Sequence, residues 1–292
     1  MNDTEFLAAQ LEEHRGHLRA VAYRLLGSLS EADDAIQEAW LRASRADTAE
    51  VENLRAWLTT ITARVCLNML RSRNQRREEP LDVHVPDPII DSLDGGDPEH
   101  EAVLADSVGL ALLVVLETLT PAERLAFVLH DLFALPFDDI APLLGRNPAA
   151  ARQLASRARR RVQGAAPAPD PDLGRQRAVV EAFLAASRGG DLQTLVALLD
   201  PDIVLRADNG ARWPATVLRG ADAVANGAFA FARITELTSL VMVNGAIGAI
   251  GVVDGQPISV AAFTVVDGRI VAMDVIADPE RVAHLNLDRY LP

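Results

Sequence analysis

FDDIAPLLGRNPAAARQLASRARRRVQ, residues 137–163, spells out two helices and the corner between them. Phe137 to Leu144 has the apolar spacing of a short helix, Gly145 supplies the turn, and Asn147 followed by Pro148 is a favoured N-cap and first-turn pair. This is a helix-turn-helix layout. At 100° per residue Ala151, Leu154, Ala155, Ala158 and Val162 fall within one stripe, which leaves Arg152, Gln153, Ser156, Arg157 and Arg160 on the opposite face. One face packs and the other suits a major groove. Arg152 and Gln153 lie in the first turns, where Arg can pair with guanine and Gln with adenine. Ser156, Arg157 and Arg160, with Arg146 in the turn, suit phosphates or flanking bases.

Working outward, residues 140–163 carry Arg146, Arg152, Arg157, Arg159, Arg160 and Arg161 with no acid, a local charge of +6. Residues 53–77 repeat that balance with Arg55, Arg64, Arg71, Arg73, Arg76 and Arg77. Between them, residues 78–117 hold eleven acids and no Arg, giving −11. The net charge of −13 over 292 residues therefore hides two cationic surfaces. Phosphate binding depends on where charge is concentrated rather than on its sum, so two DNA contacts are expected. All 28 basic residues are Arg.

The single cysteine, Cys66, lies in an apolar helical pattern, so no intrachain disulfide or zinc-ligand spacing exists and no metal or cofactor is implied. The apolar run at residues 108–116 is far shorter than the ~20 residues that cross a bilayer, and the acidic N-terminus is unlike a signal peptide. A cytoplasmic location is expected.

Residues 6–77 read as a helical bundle, with a helix start at Ser30 and a further helix near residues 54–73 that buries Trp57, Leu58, Ile61 and Val65. Residues 78–98 mix Pro80, Pro86, Pro88, Pro98 and Gly95-Gly96 with acids and read as a linker, one that can reach ~70 Å when extended. Helices resume over residues 99–163, and residues 164–173, rich in Pro, form a second linker. Residues 174–292 then change character: two helices, then strands near residues 203–206, 240–243, 246–253, 258–266 and 270–276. Asp254-Gly255 and Asp267-Gly268 join the last three into an antiparallel meander. The expected architecture is multidomain, with two all-α domains followed by an α+β cone-like domain built on a curved antiparallel sheet.

These motifs, in this order, resemble the bacterial extracytoplasmic-function sigma factors over residues 6–163. SEADDAIQEAWLR at residues 30–42 is similar to the sigma segment that docks on the clamp helices of the RNA polymerase β′ subunit. The resemblance implies that Glu31, Asp34, Glu38 and Arg42 meet the polymerase. LRAWLTTITAR at residues 54–64, with the arginines that follow, resembles the region that melts and reads the −10 element, implying DNA roles for Arg64, Arg71, Arg73, Arg76 and Arg77. Residues 119–161, beginning LTPAER, are similar to region 4, which reads the −35 element and meets the β flap. That implies −35 contacts by Arg146, Arg152, Gln153, Ser156, Arg157 and Arg160.

Residues 174–292 resemble the SnoaL-like, nuclear-transport-factor-2-like extension that some of these sigma factors carry. VPDP at residues 85–88 is similar to the family's Leu-Pro-Glu-Pro linker, and DPERV at 278–282 to its Asn-Pro-Asp-Lys-Leu tail. DNGAR at 208–212 resembles its Asp-Gly-Gly-Gly-Arg segment, with Asn209 and Ala211 replacing two glycines. The resemblance implies regulation in cis through Val85, Pro86, Asp87, Pro88, Asp208, Arg212, Asp278, Pro279, Glu280 and Arg281. It also implies a cavity that can take a small apolar ligand. Two rival readings stay open: a ligand-responsive DNA-binding regulator, and a DNA-binding module fused to a cyclase-like enzyme. For the latter, Arg206, Asp208, Trp213, Asp274 and His284 are the polar candidates, but no pair has diagnostic spacing. Asp274 is expected to bond backbone at a meander end, and the chain is expected not to be an enzyme.

Overall fold

The computed structural model describes residues 3–46, 51–76, 84–93, 95, 109–165, 169–210, 214–232 and 237–291. They fall into two compact units, one within Met1–Pro80 and Val115–Ala165, the other within Leu81–Asp97, Ser107–Val114 and Ala166–Pro292.

In the first unit, helices α1 (Asp3–Leu26), α2 (Leu29–Ala43) and α3 (Leu54–Arg76) pack together. Leu7, Leu11, Leu18, Ile36 and Leu58 form the core, with Trp40, Trp57 and Ile61 laid against it. Cys66 is buried, and burial pushes its thiol pKa up, so it behaves as a small apolar side chain. The cap of α2 is Ser28 rather than the expected Ser30: its side chain accepts from the Glu31 amide, while Ser30 sits inside the first turn. Either serine precedes the acids, so composition alone does not fix the start; the Ser28-x-x-Glu31 spacing does.

Region 137–163 folds as its sequence dictates. Helix α4 (Leu110–Glu117) precedes α5 (Pro121–Phe127), whose Thr120 and Glu123 form a reciprocal capping box. A π-helical turn, Val128–Leu132, leads to α6 (Phe137–Leu144) and α7 (Pro148–Ala165). Asn147 accepts from the Ala150 amide at 2.8 Å, and Ala151, Ala155 and Ala158 are buried. The two helical segments of this unit are packed together. Arg124 donates to the Leu25 carbonyl at 2.9 Å and to Glu117 at 2.8 Å, and Arg24 lies 5.0 Å from the centre of the Phe133 ring.

The second unit is an α+β cone. Its sheet runs β1-β4-β5-β6-β7-β2-β3, with strands Ile90–Asp91 (β1), Leu199–Asp208 (β2), Thr216–Arg219 (β3), Leu237–Val243 (β4), Ala246–Val253 (β5), Gln256–Val266 (β6) and Arg269–Ile276 (β7). Helices α8 (Leu173–Gly189), α9 (Leu192–Leu198) and α10 (Ala221–Ala232) bury Val180, Phe183, Leu195 and Val224 against Ile203 and Phe263. The meander was expected with two turns and has three. Asn244-Gly245, Asp254-Gly255 and Asp267-Gly268 all have positive φ at both residues, the type I′ geometry that matches strand twist.

Two features depart from the sequence reading. The sheet is mixed: five of its six pairings among the described residues are antiparallel, but β2 runs parallel to β7, with Arg206 beside Asp274. A parallel pair needs a long connection, and β3 to β6 provide it. The segment read as linker also contributes β1, where Ile89 and Ile90 are buried and the Ile89 amide and carbonyl both bond Asn244. Prolines and acids drew attention away from that apolar dipeptide, yet proline is compatible with the start of an edge strand.

Candidate functional site

Helix α7 sorts its arginines. Arg146, Arg152, Gln153, Ser156, Arg157 and Arg160 are all exposed. Arg159 instead binds Asp131 at 2.6 Å and Arg161 binds Glu123 at 3.1 Å. The Arg152 guanidinium lies 5.2 Å from the centre of the Phe137 ring, which in turn stacks on His130 at 3.8 Å. An aromatic face beneath a cation limits its rotamers without neutralising it. Phe137 was not singled out from the sequence as a support for Arg152; its signal was the aromatic opening the helix that precedes the turn.

Helix α3 sorts its own in the same way. Arg64 and Arg71 are exposed, whereas Arg73 donates to the Leu26 carbonyl at 3.3 Å and pairs with Glu31. Arg55 meets His17 Nδ1 at 3.0 Å. The side chain of Arg76, and Arg77 altogether, lie outside the described residues. On α2, Asp34 is exposed and Glu38 pairs with Arg42 at 2.9 Å along the same helix, while Glu31 is engaged by Arg73. Thus two residues assigned by resemblance to different partners, Glu31 and Arg73, hold each other.

In the second unit the separated motifs meet around one carboxylate. Asp208 ends β2; its Oδ2 accepts from Arg281 at 2.6 Å and from the Val85 amide at 3.2 Å, and lies 3.3 Å from His84 Nδ1. Its Oδ1 accepts from the Gly210 amide at 3.1 Å. Arg281 also donates to the Val85 carbonyl and to Asp87, each at 2.6 Å. Burial pushes the Asp208 pKa up, but the hydrogen bonds from His84, Gly210 and Val85 and the charge of Arg281 outweigh it and hold it at about 2. Gly210, at φ 74°, leaves no room for a side chain: a Cβ there would lie 2.5 Å from the Asp278 carboxyl carbon. Asp278 caps helix α11 (Pro279–His284), accepting from the Glu280 amide at 2.9 Å, and that helix carries Arg281. Pro86 and Pro88 flank Asp87 in the gripped segment; Arg212 and Trp213 lie outside the described residues. His84 was missed from sequence, although it adjoins the motif at residues 85–88.

Asp274 does not cap the meander through backbone as expected. It pairs with Arg206 at 3.0 Å and is 1% exposed; burial pushes its carboxyl pKa up and Arg206 opposes that. The correction follows from the parallel register, which sets the two residues side by side. His284 is exposed and bonds the Glu280 carbonyl at 2.6 Å. Among the described residues no group of three or more His, Cys, Asp or Glu is placed to hold a metal, and no helix is long and apolar enough to cross a membrane.

Comparison with known proteins follows the same division. Residues 11–77 match Sigma-70 region 2, and residues 109–162 match Sigma-70, region 4. The chain is 41% identical over 289 residues to the ECF RNA polymerase sigma factor SigJ of Mycobacterium tuberculosis, an alignment covering 94% of this chain and 92% of SigJ. A probable ECF RNA polymerase sigma factor of that organism, SigI, is 39% identical over 227 residues, covering 77% of this chain and 76% of its own. The crystal structure of SigJ superposes with a TM-score of 0.77 at 38% identity, covering 94% of this chain and 98% of SigJ. Likeness on that scale cannot be confined to the first 165 residues, so it includes the sheet-bearing unit. The chain belongs to the extracytoplasmic-function RNA polymerase sigma factors, the subunits that give transcription initiation its promoter specificity.

Proposed function

We propose that α7 reads the −35 element, that α3 engages the −10 region through Arg64 and Arg71, that α2 presents Asp34 and Glu38 to the core polymerase, and that the C-terminal unit controls this machinery in cis by gripping residues 84–91. The observation that carries the control is the Asp208–Arg281 grip on Val85 and Asp87. Those residues follow region 2 in the chain and precede region 4, so holding them withdraws them from the tether between the two. Without the grip, residues 77–109 can stretch over about 100 Å; with it, only residues 77–83 and 92–109 stay free, reaching about 25 Å and about 60 Å on the two sides of the hold. A shorter tether raises the effective concentration of one reading head near the other's site and forbids spans it cannot reach.

Promoter-directed transcription with purified core polymerase tests this reading. Truncation at Pro167, Asp208→Ala and Arg281→Ala should each change the yield; equal yield from all four proteins overturns control in cis.

The reading of the C-terminal unit as non-catalytic rests on its cavity, described below, whose wall among the described residues offers no Asp, Glu or His as acid or base. Arg206 and Asp274 offset each other and lie in alternate positions to the wall residues of β2 and β7. The same wall suits a small apolar ligand.

A further inference from the structure

The C-terminal unit encloses a cavity of about 280 Å3, walled by α8, α10 and five strands of the sheet. Phe183, Phe231 and Phe263 line it with Leu205, Leu218 and Met273, while Ala207, Ala249, Ala261 and Ala277 stand where strands pass it. Protein interiors close such spaces when larger side chains are present. A leucine at any of those alanines would fill part of this one, so it is the small residues that keep it open. Polar atoms on the wall are few. The Asn209 amide nitrogen donates to the Pro214 carbonyl at 2.8 Å and to the Thr216 hydroxyl at 3.2 Å, which leaves its carbonyl oxygen to accept from a guest. Ser259 adds a hydroxyl, the Ser187 hydroxyl on the wall is already spent on the Phe183 carbonyl, and Arg188, the one charged lining residue among those described, is exposed to solvent. The size lies just under the ~300–1,000 Å3 of drug-sized sites, so the guest is one or two rings with one hydrogen-bonding group.

The cavity is adjacent in the chain to both halves of the grip. Side chains alternate along β2, so Ala207 and Asn209 face the cavity while Asp208, between them, faces the linker. Just past β7 the wall residue Ala277 donates its amide to the Asp208 carbonyl at 2.8 Å and precedes Asp278, the cap of the helix that carries Arg281. Gly210 packs against that Asp278 side chain with no room to spare. The backbone that lines the cavity is therefore the backbone that holds Asp208 and Arg281. Wall atoms facing a void lack contacts on one side, and a guest supplies them, ordering Ala207, Asn209 and Ala277.

We infer that this cavity is an effector site: a compact hydrocarbon guest bearing a single hydroxyl-type group occupies it and tightens the grip of Asp208 and Arg281 on residues 84–87. The inference rests on reading that grip as control in cis.

The test uses the full chain with 1-naphthol as the probe. Titration followed by naphthol fluorescence should saturate, and hydrogen exchange of the peptide spanning residues 84–91 should slow by about 5-fold or more at saturation. Ala261→Phe should abolish both responses; if that variant fails to fold, Ala249→Leu takes its place. No saturable binding up to about 1 mM overturns the site. Saturable binding that leaves exchange at residues 84–91 unchanged, or speeds it, overturns the coupling. Transcription by Asp208→Ala separates the two claims. If that variant alters transcription while naphthol does not slow exchange, control in cis stands and the effector site falls. If this variant, Arg281→Ala and the truncation at Pro167 all transcribe as the parent does, control in cis falls whatever naphthol does.

Discussion

Helices α3 and α7 carry the same charge pattern and use it differently. Each helix has five arginines and no acid, so by composition they are equivalent. In α3, Arg73 is drawn inward by the Leu26 carbonyl and Glu31, and Arg55 by His17. In α7, among the described residues only Arg159 and Arg161, on the flank of the packed stripe, take acidic partners, and the arginines opposite the alanine stripe stay exposed, Arg152 over the Phe137 ring. An arginine's angular distance from the buried stripe, and what the neighbouring element ends in, decides whether its charge is spent on the fold or held for DNA.

That contrast can be broken most severely at a buried arginine. Arg124 is 3% exposed and binds both Glu117 and Leu25, so Arg124→Ala should remove two bonds at a buried site and cost about 2–4 kcal/mol in urea denaturation. A loss below about 1 kcal/mol would mean the site relaxes or hydrates, and the distinction between spent and available arginines would weaken. Next comes Arg152→Ala, which should relax base preference at one −35 position by about 1–3 kcal/mol in a binding selection. Arg157→Ala should instead weaken all sequences alike and reduce the salt slope by about 1; exchanged outcomes would exchange the two roles. Smaller again, Arg159→Ala should cost about 0.2–1 kcal/mol of stability, because its pair with Asp131 is part exposed, and should leave base preference untouched.

The smallest effect sharpens the comparison with the other unit. The folded pKa of Asp208, about 2, is below the ordinary value of 3.8, so the stability it contributes is present above about pH 4 and is lost as pH falls through about 2. Exchange at residues 84–91 should accordingly be insensitive to Asp208 titration between about pH 5 and 8, once corrected for intrinsic rates, and rise below about pH 4. A rise near neutral pH would overturn the assignment of the hold to Asp208.

Legibility followed locality. The helix-turn-helix emerged with its first helix and corner in place because cap, turn and stripe all lie within 27 consecutive residues. The meander likewise follows from paired turn residues, and Asn244-Gly245 is an equally strong signal that was passed over. Strand β3 and helix α10 were not read at all. Helix α10 contains Asn226-Gly227, which looks like a turn, yet Gly227 is there because a Cβ would come within 2.8 Å of Leu218. Close packing between elements, not a bend, demands that glycine. The parallel β2–β7 pair and the Arg206–Asp274 contact join residues far apart in the chain, and no local pattern encodes them. At the grip, the paired motifs pointed to the right segments through resemblance; which atoms meet, and that His84 joins them, needed the fold.

The bond from Arg124 to the Leu25 carbonyl has a bearing on how the two helical halves come apart. The last turn of α1 leaves carbonyls that its own helix cannot satisfy, and one of them is served by a side chain from the −35-reading half. Any surface that draws the halves apart must hand Arg124 another acceptor and Leu25 another donor, or admit water to both. Separating the halves is thus an exchange of partners at a helix end, and its ease depends on what the separating surface offers at that spot.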